Sequence, residues 1–185
     1  MQKSSERIIL GIDPGTIIMG YGVIRSEGSN PVLMDMGVLS LHKENDPFSK
    51  LRKIFICTID LIDRYLPDEL AIESPFYGKN VQSMLKLGRA QGVAIAAALS
   101  RSLPVFEYAP RKIKLSITGV GNASKEQVAN MLGHTFSLNE LPKNLDATDG
   151  LAAAVCHFYQ RQINIDNPSE KSWKAYIRKN PGKLK

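Results

Sequence analysis

Residues 8–15 read Ile-Ile-Leu-Gly-Ile-Asp-Pro-Gly, and the architecture of the chain follows from this stretch. Its continuous apolar run predicts a buried central strand. The Asp-Pro-Gly segment ends that strand and turns the chain. The carboxylate of Asp13 therefore stands at the end of a buried strand. A charge without a partner there is costly or shifts its pKa, so the stretch predicts a cation nearby.

Two further stretches place carboxylates in apolar surroundings. Residues 70–74 read Leu-Ala-Ile-Glu-Ser, in which Glu73 ends a second apolar run. Residues 145–151 read Leu-Asp-Ala-Thr-Asp-Gly-Leu, in which Asp146 and Asp149 begin an Ala-rich helix on one face. Taken singly, these acids have ordinary interpretations as a turn residue, an exposed strand end or a helix cap. Taken together, they predict one site.

A site built from four carboxylates requires metal ions to hold it together. Hard oxygen ligands favour Mg²⁺, for which Mn²⁺ is a substitute. Two ions bridged by such carboxylates activate a water and stabilise the leaving 3′ oxygen during in-line attack on phosphorus. The histidines His42, His134 and His157 are scattered without metal-ligand spacing, and we interpret them as structural. The sequence therefore predicts a metal-dependent phosphodiesterase with two ions per site.

The pattern of the remaining residues predicts an α/β fold, a mixed five-stranded sheet with helices on both faces. Short connections favour an antiparallel meander for the first three strands, and a helical crossover makes the fourth strand parallel to its partner. In such sheets, sites gather at the carboxyl ends of parallel strands, where Asp13 and Glu73 stand. The predicted strands are 8–12, 20–25, 31–41, 69–73 and 104–108, and the predicted helices are 48–65, 80–100, 110–117, 124–132 and 146–161.

Length and charge define the organisation of the chain. The 185 residues suit one domain over 1–163, followed by a basic tail over 164–185. The net charge is +6, and residues 76–125 hold eight basic residues against one acid, Glu107. This block predicts a phosphate-binding surface, with a solvated helix face as the alternative. Two free cysteines, no signal peptide and no apolar run long enough for a membrane predict a cytoplasmic protein.

The predicted helix over 80–100 carries a face of small residues. Gly88, Gly92 and Ala96 stand four residues apart, which allows another backbone to approach closely. The same face would serve either for packing on the sheet or for contact with a second subunit.

These motifs together resemble a RuvC-type Holliday junction resolvase, a bacterial endonuclease of the RNase H-like superfamily. The resemblance extends in order over about residues 8–160. It implies an RNase H-like fold, a homodimer, and Mg²⁺-dependent nicking of two symmetric strands of a four-way DNA junction in recombination and repair. The matching segments are 9–15 with 20–24, 71–73, 79–80 with 85–94, 104–109, 111–114, 119–121 with 125, and the acids at 146 and 149.

The resemblance also implies roles for single residues. Asp13, Glu73, Asp146 and Asp149 match the catalytic, metal-binding carboxylates of the family. Lys114 and Lys125 match lysines near the scissile phosphate, and Phe76 matches an aromatic residue that engages bases. Predicted phosphate contacts are Lys79, Lys86, Arg89, Arg111 and Lys112, and the helix with Gly88, Gly92 and Ala96 matches part of the family dimer interface. Contact with the branch-migration proteins RuvA and RuvB is likewise implied.

The chain departs from the family pattern in three places. The loop around Phe76 is altered, Gly150 stands where a helix-forming Ala is usual, and the tail after Arg161 has no clear counterpart. Three other functions compete. Actin-like ATPases also open with a Gly-Ile-Asp-x-Gly turn but need two such subdomains. A YqgF-like RNA nuclease shares the fold, although the basic helix fits it less well. A non-catalytic junction-binding protein would not need four carboxylates that repel DNA.

Overall fold

A computed structural model of the chain describes residues 6–75, 78 and 80–166, with side chains to residue 162. The described residues form five strands and five helices. In chain order these are β1 (Arg7–Asp13), β2 (Ile18–Glu27), β3 (Asn30–Ser40), α1 (Pro47–Tyr65), β4 (Glu69–Glu73), α2 (Val81–Ser100), β5 (Val105–Tyr108), α3 (Pro110–Thr118), α4 (Lys125–Thr135) and α5 (Asp146–Asp166). Every predicted strand and helix is present, with bounds shifted by a few residues. Residues 164–166 of the predicted tail belong to α5, and the rest of the tail lies outside the described residues.

The strands form one mixed sheet in the order β3-β2-β1-β4-β5. The pairs β1–β2 and β2–β3 are antiparallel, which confirms the predicted meander. The pairs β1–β4 and β4–β5 are parallel, because a helical crossover precedes β4 and another precedes β5. Ile12 pairs with Ile72 in the β1–β4 register, so Asp13 and Glu73 follow at adjacent carboxyl ends, as predicted.

Helices cover both faces of the sheet, which confirms the predicted layers. Alternate residues of the central strands point to opposite faces. Leu10 and Ile72 pack with residues of α1 and α2 on one face, whereas Ile9 and Ala71 pack with residues of α5 on the other. The central strands are thus buried on both sides, as a continuous apolar run predicts.

Local signals in the sequence set the ends of the helices. The side chain of Asp46 accepts from the Ser49 amide at 2.7 Å and begins α1, which ends at Leu66 in the left-handed conformation. Ser124 and Gln127 form the predicted capping box at the start of α4. Both cysteines are free thiols, as expected. In the part of the chain that the structure describes, no helix has the length and apolarity to span a membrane.

Candidate active site

Two of the predicted acids project from strand ends toward α5. Residues 9, 11 and 13 of β1 share one face by the period-two alternation of a strand, as do residues 69, 71 and 73 of β4. Ile9 and Ala71 belong to the core cluster that includes α5, which identifies this face. Asp13 and Glu73 therefore extend from the same face at neighbouring strand ends, under the beginning of α5.

The other two acids lie in the first turn of α5. The amide of Asp146 donates to the side chain of Asn144 at 3.0 Å, so Asn144 provides the polar cap of this helix. The carboxylate of Asp146 is therefore not used as the cap, which was its ordinary interpretation. Because Asp149 follows by three residues, both carboxylates lie on one side of the helix.

Glycines bring the backbone of α5 onto the sheet at this end. A Cβ atom on Gly20 would lie 2.0 Å from the carbonyl oxygen of Asp146, and one on Gly11 would lie 2.1 Å from that of Gly150. Conversely, a Cβ on Gly150 would lie 2.4 Å from the Cα atom of Tyr21. Real Cβ atoms do not approach so closely, so a larger residue would displace the helix. This contact gives a physical reason for Gly150, which the sequence comparison treated as a departure.

The ammonium group of Lys125 joins the two acids of α5. Lys125 is the first residue of α4, and its Nζ atom contacts Oδ1 of Asp146 and lies 2.6 Å from Oδ2 of Asp149. Burial alone would lower the pKa of Lys125, but its hydrogen bonds to both carboxylates raise it above the ordinary value. The lysine therefore stays charged and neutralises part of the acidic cluster.

The two acids on the strands, Asp13 and Glu73, have raised pKa values. Burial raises the pKa of Asp13 to about 6, with a further rise from the charge of Asp149. Burial and the charges of Asp13 and Asp149 raise the pKa of Glu73 to about 8. Burial likewise raises the pKa of Asp149, against the opposing effect of Lys125. The positive charges of Lys114 and Lys125 lower the pKa of Glu73 but do not outweigh burial and the neighbouring acids.

An open cavity of about 760 Å³ is lined by three of the four acids and by several cations. Asp13, Glu73 and Asp149 line it together with Arg111, Lys114 and Lys125. A cavity that holds both carboxylates and basic groups can take a metal ion and a phosphate side by side. Its acidic oxygens are hard ligands suited to a divalent cation. Within residues 6–75, 78 and 80–166, however, no three His, Cys, Asp or Glu side chains are already arranged to hold a metal ion.

The predicted DNA-binding residues lie in two places. Arg111 and Lys112 are exposed on α3, and Arg111 reaches the cavity. Lys86 and Arg89 are exposed on α2. Predicted contacts at Phe76 and Lys79 lie outside the described residues.

The small-residue face of α2 is exposed in the single chain. Gly88, Gly92 and Ala96 are exposed, and a Cβ atom on either glycine would meet no atom within 4 Å. The buried side of α2 is a different one, formed by residues 90, 91, 94, 97 and 98. Packing on the sheet, one of the two interpretations of this face, is therefore wrong.

A second charged cluster, which was not predicted from the sequence, lies at the opposite end of β4. The buried carboxylate of Glu69 contacts Arg161, lies 3.4 Å from Arg7, and accepts from Nε2 of His157 at 2.9 Å. The Nδ1 atom of His157 then accepts from the hydroxyl of Tyr108 at 2.6 Å. Burial lowers the pKa of His157, which keeps the ring neutral and suits this pattern. Two spacings in the sequence could have indicated this cluster. Glu69 and Glu73 stand an even number of residues apart, on one face of a strand, and His157 and Arg161 stand four apart, on one face of a helix.

Fold and site together define an RNase H-like nuclease. The chain belongs to the RuvC family, since the family model described as crossover junction endodeoxyribonuclease RuvC matches residues 9–157. The RuvC crossover junction endodeoxyribonuclease of Christiangramia forsetii is 60% identical over 181 residues, which are 98% of this chain and 94% of that protein. The corresponding protein of Bacteroides fragilis is 57% identical over the full length of both chains.

Solved structures agree with this assignment. The structure of Thermus thermophilus RuvC in complex with Holliday junction substrate superimposes with a TM-score of 0.77 at 30% identity, covering 84% of this chain and 96% of that one. The yeast mitochondrial Holliday junction resolvase Ydc2 superimposes with a TM-score of 0.61 at 16% identity, covering 86% of this chain and 83% of that one. At that identity the likeness to Ydc2 concerns the fold alone.

Proposed function

We propose that this chain is a metal-dependent endonuclease that resolves four-way DNA junctions by paired nicking of two symmetric strands. One observation carries the proposal: carboxylates from three distant stretches of sequence converge at one cavity that basic side chains also line. Family membership supports the substrate, because the related T. thermophilus RuvC is known in complex with Holliday junction substrate. Since the proposed substrate is cellular DNA, we expect the enzyme to act in the cytoplasm.

We assign Asp13, Glu73, Asp146 and Asp149 as the metal ligands, with Mg²⁺ as the expected ion, Mn²⁺ as a substitute and two ions per site. The raised pKa values of Asp13 and Glu73 support this assignment, because they arise from burial and from neighbouring acids, whose charge a bound cation would neutralise. When bound, the ions would supply activation of water and stabilisation of the leaving oxygen. The chain itself holds the carboxylates in place through the strand ends and the first turn of α5.

Basic residues around the cavity suit the DNA backbone. Lys114 and Arg111 both line the cavity, so both can reach a phosphate next to the carboxylates. Lys86, Arg89 and Lys112 are exposed and are proposed to contact phosphates farther along the DNA. Phe76 and Lys79 remain predictions of the family resemblance, as does contact with RuvA and RuvB.

The decisive experiment compares a synthetic four-way junction with a linear duplex of the same sequence. In Mg²⁺ we expect the wild type to nick two symmetric strands of the junction, to leave the duplex intact, and to stop when the metal is chelated. Asp13→Asn, Glu73→Gln, Asp146→Asn and Asp149→Asn should abolish nicking but keep junction binding in a gel-shift assay. Loss of a negative ligand weakens metal binding without removing a DNA contact.

A matched control separates the site from the general effect of losing an acid. Asp63→Asn makes the same chemical change on the exposed side of α1, where Asp63 pairs with Arg101. This variant should nick at the wild-type rate. Nicking that continues in chelator, or an Asp13→Asn variant that cuts as fast as Asp63→Asn, would contradict the proposal.

Paired nicking requires two active sites on one junction, so we propose a two-fold dimer through α2. The exposed stripe of Gly88, Gly92 and Ala96 supports this surface. Gly92→Leu should fold, since no atom of its own chain occupies the space, and should sediment as a monomer. Ser83→Leu, on the opposite side of the same helix, should stay dimeric. A Gly92→Leu protein that remains dimeric would exclude this surface.

A further inference from the structure

The ion pairs of Lys125 involve the same oxygens that the proposed metal would use. Its ammonium contacts Oδ1 of Asp146 and Oδ2 of Asp149, the latter at 2.6 Å. An ammonium group and a divalent cation compete for such oxygens, because both neutralise carboxylates at close range. Lys125 therefore occupies carboxylate oxygens that a metal ion would need as ligands.

A second lysine in the same cavity behaves differently. Lys114 lines the cavity and is half-buried, like Lys125. Among the described residues, the ion pairs include none between Lys114 and a carboxylate. Both lysines contribute a positive charge to the cavity, but only Lys125 engages the two acids of α5 directly. The pair thus allows direct contact to be separated from general charge.

We propose that Lys125 is an internal counter-cation, which holds Asp146 and Asp149 while the site carries no metal and is exchanged for the metal on loading. The inference rests on the proposed function in taking these acids as metal ligands. Exchange would release the ammonium into a cavity proposed to receive the scissile phosphate. Lys125 would then become available to DNA only in the loaded site.

Side-chain exposure makes the exchange feasible without a change of fold. The side chain of Lys125 is 36% exposed, and those of Asp146 and Asp149 are 30% and 23% exposed. Water and metal therefore have access to the ion pairs. A lysine ammonium sits on a flexible four-carbon stem and can turn away from its partners by rotation of the side chain. The backbone that carries the carboxylates, in contrast, packs closely on the sheet at Gly11 and Gly20.

The test measures metal binding by the DNA-free protein, with Mn²⁺ titrated by calorimetry. We expect Lys125→Met to bind Mn²⁺ about tenfold more tightly than the wild type, which corresponds to about 1.4 kcal/mol. Lys114→Met should gain clearly less, because it removes charge from the cavity but no direct contact. Lys125→Arg keeps a cation beside the acids and should bind no more tightly than the wild type.

Thermal unfolding gives a second readout. Without metal, Lys125→Met should unfold at a lower temperature than Lys114→Met, because two neighbouring carboxylates lose their counter-charge. Saturating Mn²⁺ should raise its unfolding temperature more than that of the wild type, since ligand that binds the native state stabilises it.

The outcomes distinguish this proposal from the proposed function. If the wild type nicks junctions and binds Mn²⁺, but Lys125→Met and Lys114→Met bind Mn²⁺ alike, only the counter-cation role is overturned. If the wild type nicks but shows no metal binding without DNA, exchange in the free protein is overturned and the nuclease assignment stands. If the wild type neither binds metal nor nicks, both fail.

Discussion

The two ends of β4 carry glutamates on the same face of the sheet, yet their charges are neutralised in opposite ways. Glu69 is surrounded by Arg7, His157 and Arg161, all from its own chain. Among the described residues, no ion pair of Glu73 is found, and burial with neighbouring acids raises its pKa to about 8. At one end of the strand the charge of the glutamate is neutralised by its own chain, whereas at the other end we propose that a metal ion neutralises it.

The antiparallel course of α5 over β4 produces this contrast. Four residues of a strand span about 13 Å, and eight residues of a helix span about 12 Å. Asp149 therefore lies near Glu73 while His157 lies near Glu69. The same helix delivers an acid to one glutamate and a histidine to the other. Acidic character alone does not separate the two glutamates; their partners among the described residues do.

The Glu69 end of β4 is predicted to support stability without taking part in catalysis. Glu69→Ala leaves the buried His157 and the half-buried Arg161 without their acceptor. It should lower the free energy of unfolding by about 3 kcal/mol, the low end of the cost of breaking a buried ion pair, because Arg161 is partly exposed to water. Denaturant unfolding monitored by circular dichroism measures this loss. Glu69→Gln retains an acceptor oxygen and should lose less. At a temperature where the variant is folded, junction nicking should remain. Loss of nicking by fully folded Glu69→Ala would show that the two ends are not separable.

The second prediction concerns the backbone contacts of α5 at the Glu73 end of β4. In Gly20→Ala, the new Cβ would lie 2.0 Å from the carbonyl oxygen of Asp146, and in Gly22→Ala it would lie 2.4 Å from the Cα atom of Leu151. Both variants should lose about 1–3 kcal/mol of stability through overpacking. Gly20→Ala should also weaken Mn²⁺ binding more strongly, because it displaces the residue that carries a proposed ligand. Equal loss of Mn²⁺ affinity in calorimetry would contradict this role for Gly20.

The positions of the acids at the Glu73 end of β4 could be predicted because their sequence signals are local. Apolar runs that stop at Asp13 and Glu73 define two strand ends, and the helical crossover makes those strands parallel neighbours. The spacing of Asp146 and Asp149 puts both on one helix face. The structure bears out the parallel register of the two strands, and one lysine reaches both helix acids, as expected for acids on one helix face.

The parts that escaped prediction depend on contacts between distant elements. Glu69 meets His157 only because α5 packs antiparallel to β4, and no periodic pattern states which helix covers which strand. Gly20 has an ordinary strand context until the carbonyl of Asp146 is placed over it. The partners of Lys125 could not be predicted either, because a long flexible side chain can reach several groups from one backbone position.

The smallest predicted effect concerns Glu73 itself, and it has the opposite sign from that of Glu69. The pKa of Glu73 is about 8 in the folded protein, against an ordinary value of 4.5. Its protonated form therefore favours folding below pH 4.5, and this contribution is lost as the pH rises through 8. Glu73→Gln resembles the protonated acid at every pH. Without metal at about pH 8, it should be more stable than the wild type by about 1–2 kcal/mol, after allowing for partial exposure to water.

Thermal unfolding at two pH values tests this sign. Near pH 5 the wild-type acid is itself largely protonated, so the two proteins should differ little. At pH 8, saturating Mg²⁺ should stabilise the wild type more than Glu73→Gln and reduce or reverse the difference, because the metal supplies the missing counter-charge. A Glu73→Gln protein that is less stable than the wild type at pH 8 without metal would instead place Glu73 in the same structural role as Glu69. The charge of Glu73 would then be neutralised without a metal, and the two ends of β4 would not differ in this respect.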